Sequence, residues 1–252
     1  MVNLYSKRIQ IAPVGFEIDR VVIPAKKEKA EKVYLMVHRN RTEDKATKYA
    51  AEIQKKLKAA KIETELVYCD WQNIEEITRV ARDLILKEAG NEIAINLASG
   101  SKNHAIGLDR ACMTFRKRDN IHPFYPEAKK WTAFKYPKQQ SEGVVEIKQI
   151  PIHRIIVPEP ELIIALKIIK RDSQDIPMHK GKKGVKKKDL ARSLFGNSEK
   201  TSLTKLQRNI TQKLENTWRA IEIIEVGRTD WISLNSEGRY LRYILNEEET
   251  FG

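Results

Sequence analysis

Short runs of consecutive apolar, largely β-branched residues alternate along the first half of the chain with longer stretches in which apolar residues recur every three or four positions. The short runs lie at residues 8–13, 32–38, 65–69 and 92–98, each about one strand long. The stretches at 18–29, 47–60, 74–88 and 103–118 carry the helical period, as in Tyr49, Ile53 and Leu57 or Ile74, Ile77, Ala81 and Leu84. Strands that are apolar on both faces, separated by amphipathic helices, build βαβ units. This half is therefore expected to be a Rossmann-like parallel sheet covered on both sides. Pro24 falls inside the first helix and should kink or divide it, because proline lacks an N–H and crowds the carbonyl four residues back. Residues 121–125 and 144–150 are further candidate strands.

The rhythm changes after Ile150, where Pro151, Pro158 and Pro160 punctuate the chain. We place a boundary there, giving a Rossmann-like domain over residues 1–157 and a second domain over 158–252. In the second, a helix is expected at 161–170, apolar at Leu162, Ile163, Leu166 and Ile169, then a flexible basic loop at 180–184 and a short helix at 187–195. A turn at 196–198 leads to a longer helix ending near 216, with Thr201 or Ser202 as its cap. Alternating runs at 221–226 and 231–234 are joined by Gly227, Arg228, Thr229 and Asp230, a four-residue hairpin connection. A helix at 236–245 closes the order of a winged helix-turn-helix. The expected fold class is thus α/β, an N-terminal Rossmann-like parallel sheet plus a C-terminal winged helix-turn-helix.

Composition adds limits. The 252 residues are 41% hydrophobic, enough for real cores and too apolar for a disordered chain. No window approaches eighteen consecutive apolar residues, and the first residues lack the apolar stretch of a secretory signal, so no membrane partner and a cytoplasmic location are expected. Cys69 and Cys112 stand apart without a CxxC, and the five histidines show no metal-ligand spacing, so neither a metal nor another cofactor is expected.

The net charge of +13 is uneven: residues 178–214 hold eleven basic residues and two acidic ones. A concentrated basic segment on a folded module suits a polyanion. On a wheel of 100° per residue, Leu203, Leu206, Ile210 and Leu214 fall on one side of the 202–216 helix, within about 80°. Thr201, Ser202, Lys205, Arg208, Asn209 and Gln212 supply polar and cationic groups of the kinds that read base edges and hold phosphates. Arg228 at the hairpin tip is placed to reach the flanking backbone or minor groove, and Lys187 and Lys188 add a basic approach. The expected partner of this module is double-stranded DNA. An ordinary solvated helix face, or a module for protein contacts, is the alternative reading.

In open parallel sheets, ligands sit beyond the carboxyl ends of the strands where strand order reverses, commonly beside the first and fourth strands. Here the first strand ends in Pro13, Val14, Gly15 and Phe16. The fourth ends in Ser99, Gly100, Ser101, Lys102 and Asn103 and opens a helix, so small residues with free backbone N–H groups and a lysine could cradle an anion. Simple helix capping by Ser101 or Asn103 is the bland alternative. His38 and Arg39, ending the second strand, add donors. No G-x-G-x-x-G or G-x-x-x-x-G-K-[ST] is present, which leaves hydride transfer and nucleotide hydrolysis poorly supported.

The segments at 9–22, 30–35 and 96–102, in particular the strand ends just described, resemble the archaeal CARF (CRISPR-associated Rossmann fold) proteins that carry a C-terminal winged helix, a transcriptional-regulator group. Ser99, Gly100, Ser101 and Lys102 match the family's pattern of small hydroxyl residues, glycine and a basic residue, although Ser101 stands where many members have a second glycine. The resemblance implies a homodimer joined through the Rossmann-like domains, with a cyclic oligoadenylate as the effector ligand in a pocket spanning the two-fold axis. The expected function is a ligand-responsive, DNA-binding transcriptional regulator without an enzymatic activity of its own, slow cleavage of its cyclic ligand aside. A cyclic-nucleotide-sensing nuclease or a protein-interaction adaptor is the alternative, since Arg116 and His122 match the loose spacing of nucleases fused to such sensors.

Overall fold

In the computed structural model, which describes residues 6–40, 42, 44–115, 119–132, 135–136, 138–151 and 157–245, the apolar runs of the first half become neighbouring strands of one sheet. The chain divides into two compact units, Met1–Ile156 and Val157–Gly252. In the first unit β1 (Arg8–Pro13), β2 (Lys32–His38), β3 (Glu63–Cys69), β4 (Glu92–Asn96), β5 (Ile121–Trp131) and β6 (Ser141–Gln149) lie in the order β3-β2-β1-β4-β5-β6. The first five are parallel and β6 is antiparallel to β5. With α1 (Asp19–Lys27), α2 (Thr47–Ala59), α3 (Ile74–Lys87) and α4 (Lys102–Met113), this is a mixed α/β, Rossmann-like unit.

The two faces of the sheet explain the unbroken apolar runs. Along β2, Val33, Leu35 and Val37 pack with Val21, Val22, Tyr49, Ile53 and Leu57 of α1 and α2. Tyr34 and Met36 point the other way, to Ile77, Ala81, Leu108 and Ala111 of α3 and α4. Each valine, leucine, isoleucine or methionine so buried contributes about 1.5–3 kcal/mol relative to exposure.

The expected break at Pro24 does not occur: α1 runs through it. The carbonyl of Arg20, which an N–H at position 24 would have met, instead accepts from Asn96 Nδ2 at 2.8 Å. A tertiary partner from β4 thus replaces the lost helical bond. Candidate strand 121–125 extends to Trp131 and 144–150 begins at Ser141, while α4 ends at Met113 and residues 116–118 of the expected helix lie outside the described residues.

The second unit carries α5 (Pro160–Arg171), β7 (Gln174–Asp175), β8 (Lys183–Lys186), α6 (Lys187–Phe195), α7 (Lys200–Leu206), β9 (Ile221–Val226), β10 (Thr229–Leu234) and α8 (Ser236–Ile244), with a sheet in the order β7-β8-β10-β9. Its core joins Leu162, Leu166 and Ile169 of α5 to Leu190, Leu206, Ile210, Leu214 and Ile232. Three local expectations are corrected here. The basic loop at 180–184 is partly strand: β8 pairs with β10 through Val185 and Lys186, and Gly184 lies so close that a Cβ there would stand 2.6 Å from the Ile232 carbonyl oxygen. Thr201 and Ser202 do not cap α7; Asn197 Oδ1 organises its start, accepting from the Glu199 N–H at 3.2 Å and Ser202 Oγ at 2.6 Å. The hairpin connection is two residues, because Gly227 adopts φ +61° and lets Thr229 pair with Val226.

Beyond Leu206 the helix widens into two π-helical turns, Gln207–Thr211 and Lys213–Thr217. The N–H groups of Gln212 and Trp218 bond to carbonyls five residues back, on Gln207 and Lys213. The wider turn brings Thr211 into the core beside Ile210, its hydroxyl 3.3 Å from the Gln207 carbonyl oxygen.

Candidate functional site

Strand order reverses between β1 and β4, and the loops that follow these strands meet there. They approach at backbone distance: a Cβ on Gly15 would lie 2.9 Å from Gly100 Cα, and Gly100 itself sits at φ +81°. Around this junction is a cavity of about 600 Å³ lined by Val14, Gly15 and Phe16 after β1, His38 at the end of β2, and Gly100, Ser101 and His104 at the start of α4. Glu17, Gln140 and the segments Asp44 to Ala46 and Asp70 to Gln72 complete the wall.

Pro13, Arg39, Ser99, Lys102 and Asn103 do not line this cavity. Pro13 backs Gly100, Arg39 is turned to the Glu76 carboxylate, and Asn103 Nδ2 donates to the Trp71 carbonyl at 3.2 Å. Ser99 is buried, and its Oγ has no partner among the described residues. Lys102 is exposed at the first turn of α4. The loop thus provides a helix N-terminus at the cavity rim, with the lysine outside.

The wall is richer in acceptors than the sequence suggests. Glu17, Asp44 and Asp70 face one lysine, Lys45. The buried Glu17 carboxylate accepts from Arg20 Nη1 at 3.0 Å and Ser141 Oγ at 2.7 Å. Asp70 accepts from the Gln72 N–H at 2.9 Å, and His38 Nε2 lies 3.8 Å away. Trp71, 39% exposed, presents its indole beside the His38 ring. Asp70, Trp71 and Gln72 directly follow β3, so the strand-end rule applied to that strand would have found them.

His104 is the third residue of α4, and its ring completes a capping box in place of the more usual glutamate or glutamine. Nδ1 accepts from the Ser101 N–H at 3.1 Å, which leaves the ring proton on Nε2, 3.9 Å from Cys69 Sγ. Burial, with His38 nearby, lowers the imidazole pKa from 6.5 to about 4. Burial likewise pushes the Cys69 thiol up to about 12, so this buried sulfur is no nucleophile at neutral pH.

In the second unit Thr201, Lys205, Arg208, Asn209 and Gln212 are all exposed, while Leu206, Ile210 and Leu214 are buried. Lys205 Nζ lies 4.9 Å from the Phe195 ring centroid. Ser202 is half-buried and held by Asn197. Lys187, Lys188, Arg208 and Arg228 line a second cavity of about 580 Å³. Lys186, Arg192 and Lys200, which the wheel did not single out, line it as well.

His122 Nε2 stands 2.7 Å from Glu92 Oε2, near the amino ends of β4 and β5 and so at the opposite end of these strands from the loops that line the cavity. Arg116 and His153 lie outside the described residues. Among the described residues no group of His, Cys, Asp and Glu could hold a metal ion, and no helix is long and apolar enough to cross a membrane.

Residues 8–131 match the family model described as HFX_2341_N:-like, N-terminal. The uncharacterized protein MJ1513 of Methanocaldococcus jannaschii is 29% identical over 187 residues, 65% of this chain and 56% of that protein. The match therefore spans about half the length of that curated relative. Among solved structures, Csm6 of Enterococcus italicus bound to cyclic hexa-2'-fluoro-hexa-dAMP is similar over 49% of this chain and 33% of that one, with 13% identity and a TM-score of 0.40. Can2 of Sulfobacillus thermosulfidooxidans in complex with cyclic tetra-adenylate is similar over 92% of this chain and 77% of that one, with 8% identity and a TM-score of 0.40. Protein VC1899 of Vibrio cholerae is similar over 90% of this chain and 77% of that one, with 11% identity and a TM-score of 0.41.

Proposed function

We propose that the chain is a ligand-responsive regulator that binds double-stranded DNA through residues 157–252 and senses a cyclic oligoadenylate or related nucleotide through its Rossmann-like unit. The observation that carries the DNA half is the two-sidedness of the helix beginning at Lys200. Its apolar side is buried, and its free side offers Lys205, Arg208, Asn209 and Gln212 without a carboxylate among them. The order of α6, this helix and the β9–β10 hairpin supports reading the unit as a winged helix-turn-helix.

The ligand half rests on the strand-order reversal, the Gly15–Gly100 approach and the resemblance of the strand-end sequences. An acceptor-rich cavity with a half-exposed tryptophan suits the amino groups and ribose hydroxyls of a nucleotide better than its phosphates. In this reading the phosphates stay at the rim, beside the first N–H groups of α4 and Lys102. Two copies in an isologous homodimer would present that rim twice to a two-fold ligand. Ligand binding would act by changing the spacing of two recognition helices.

The test has two arms. Duplex binding by the full chain, followed by fluorescence anisotropy, should weaken steeply with salt and weaken further in Lys205→Ala and Arg208→Ala. Calorimetric titration with cyclic tri-, tetra- and hexa-adenylate should show one ring bound per dimer, more weakly in Lys102→Ala, and should alter duplex affinity at fixed salt. Absence of salt-dependent duplex binding overturns the DNA half. Failure of every ring to bind overturns the ligand class.

A further inference from the structure

The cavity of about 580 Å³ in the second unit has three walls: the start of α6, one side of α7, and the β9–β10 turn. Seven basic residues line it against two carboxylates, and both carboxylates are already engaged by cations of the same cleft. Asp230 is paired with Lys187 at 3.1 Å and Asp189 with Arg192 at 3.3 Å. The surplus positive charge, carried by exposed side chains on three separate elements, is therefore unneutralised among the described residues of this unit. Converging cations repel, and a concave arrangement of them gains stabilisation when an extended anion enters.

Duplex geometry says which part of the anion fits. A helix with its side chains is about 10–12 Å across and fills the major groove, about 12 Å wide, while a hairpin tip reaches the neighbouring minor groove. Adjacent major and minor grooves are separated by a single sugar–phosphate backbone. A protein that puts α7 in one and the β9–β10 turn in the other must therefore hold that backbone in the space between them.

From this we infer that the cleft is a seat for one phosphodiester strand of the duplex, with Lys188, Lys200 and Arg228 as phosphate ligands from its three walls. Base reading then falls to the outer side of the helix, at Asn209 and Gln212, which do not line the cleft. This division of labour rests on the DNA-binding reading above but is separable from it. Backbone contacts carry the salt dependence and are indifferent to sequence; contacts to base edges carry discrimination and little salt dependence.

The experiment measures duplex affinity of the full chain by anisotropy from 50 to about 300 mM salt, using a mixed-sequence duplex. For Lys188→Gln/Lys200→Gln/Arg228→Gln the plot of log affinity against log salt should become shallower by about 2–3, and affinity at 0.1 M salt should fall by roughly two orders of magnitude. Asn209→Ala/Gln212→Ala should leave that slope unchanged. Arg228→Glu alone, at an exposed turn, repeats the test without risk to the helices and should lower the slope by about one or more. An unchanged slope in the cleft variants, with duplex still bound, overturns the seat and leaves the regulator reading standing. Failure of the unaltered chain to bind duplex at the lowest salt overturns both.

Discussion

His104 makes the Rossmann-like unit sensitive to pH in a way that can be calculated in advance. Its ring is 3% exposed, and the Ser101 N–H occupies Nδ1, so a second proton would have to displace that bond inside a desolvated site. Its pKa is accordingly lowered to about 4 from 6.5. Because the unfolded chain takes up the proton first, protonation favours unfolding: the stabilisation is complete above about pH 6.5 and is lost as pH falls toward 4. At 1.36 kcal/mol per pH unit the whole displacement is worth about 3 kcal/mol, of which about 2 kcal/mol disappears between pH 7 and pH 5. His104→Gln is the right perturbation, since glutamine is a standard partner in a capping box and does not titrate. Urea unfolding followed at the amides of β1 and β4 should show the native protein losing about 2 kcal/mol more than the variant over that interval. An equal loss in both proteins, or an imidazole that titrates near 6.5 in the folded state, would refute the reasoning.

Three further outcomes follow from packing. Gly100→Ala should lower the thermal midpoint and, if the proposed ligand reading holds, weaken cyclic oligoadenylate binding with it, since its Cβ would stand 2.8 Å from Pro13 Cβ at a φ that side chains avoid, a cost of at least about 1 kcal/mol. Glu17→Ala strips the buried Arg20 of its carboxylate and should cost about 3–5 kcal/mol in denaturant unfolding, whereas Glu222→Ala, which breaks the exposed pair with Lys182, should cost less than about 1 kcal/mol. Ile210→Ala, at a position 1% exposed, should destabilise the second unit by about 2–5 kcal/mol and leave the unfolding of the first unchanged.

The parallel sheet is legible in the sequence because a strand covered on both faces writes its burial into consecutive residues. In β2 the run from Val33 to Val37 is buried throughout, whereas none of the amphipathic helices α1–α4 buries more than three residues in a row. The helix–hairpin order of the second unit was readable for a related reason: Ile221–Val226 and Thr229–Leu234 are short runs rich in isoleucine and other apolar residues, and glycine lies between them. Pro24 misled because the rule that proline breaks helices assumes the orphaned carbonyl has no other partner. Asn96, 76 residues away from Arg20, supplies one, and nothing local announces it.

The sites were read less completely, and the omissions share a cause. Strand β8 is Lys-Gly-Val-Lys, with one apolar side chain and no period to detect; it exists because β10 offers a paired edge and Gly184 tolerates the approach. Arg192 and Lys200 belong to different elements and meet Arg228 only around a cavity, so a helical wheel, which compares residues within one helix, cannot group them. The same wheel places Thr211 off the core because it assumes 100° per residue, whereas the π-helical turns advance less. Periodicity records what a residue does for its own element. Both candidate sites are made by residues whose role lies between elements, the Gly15–Gly100 contact in one unit and the three-walled basic cleft in the other. Their chemistry is written in residue type, and their grouping only in the fold.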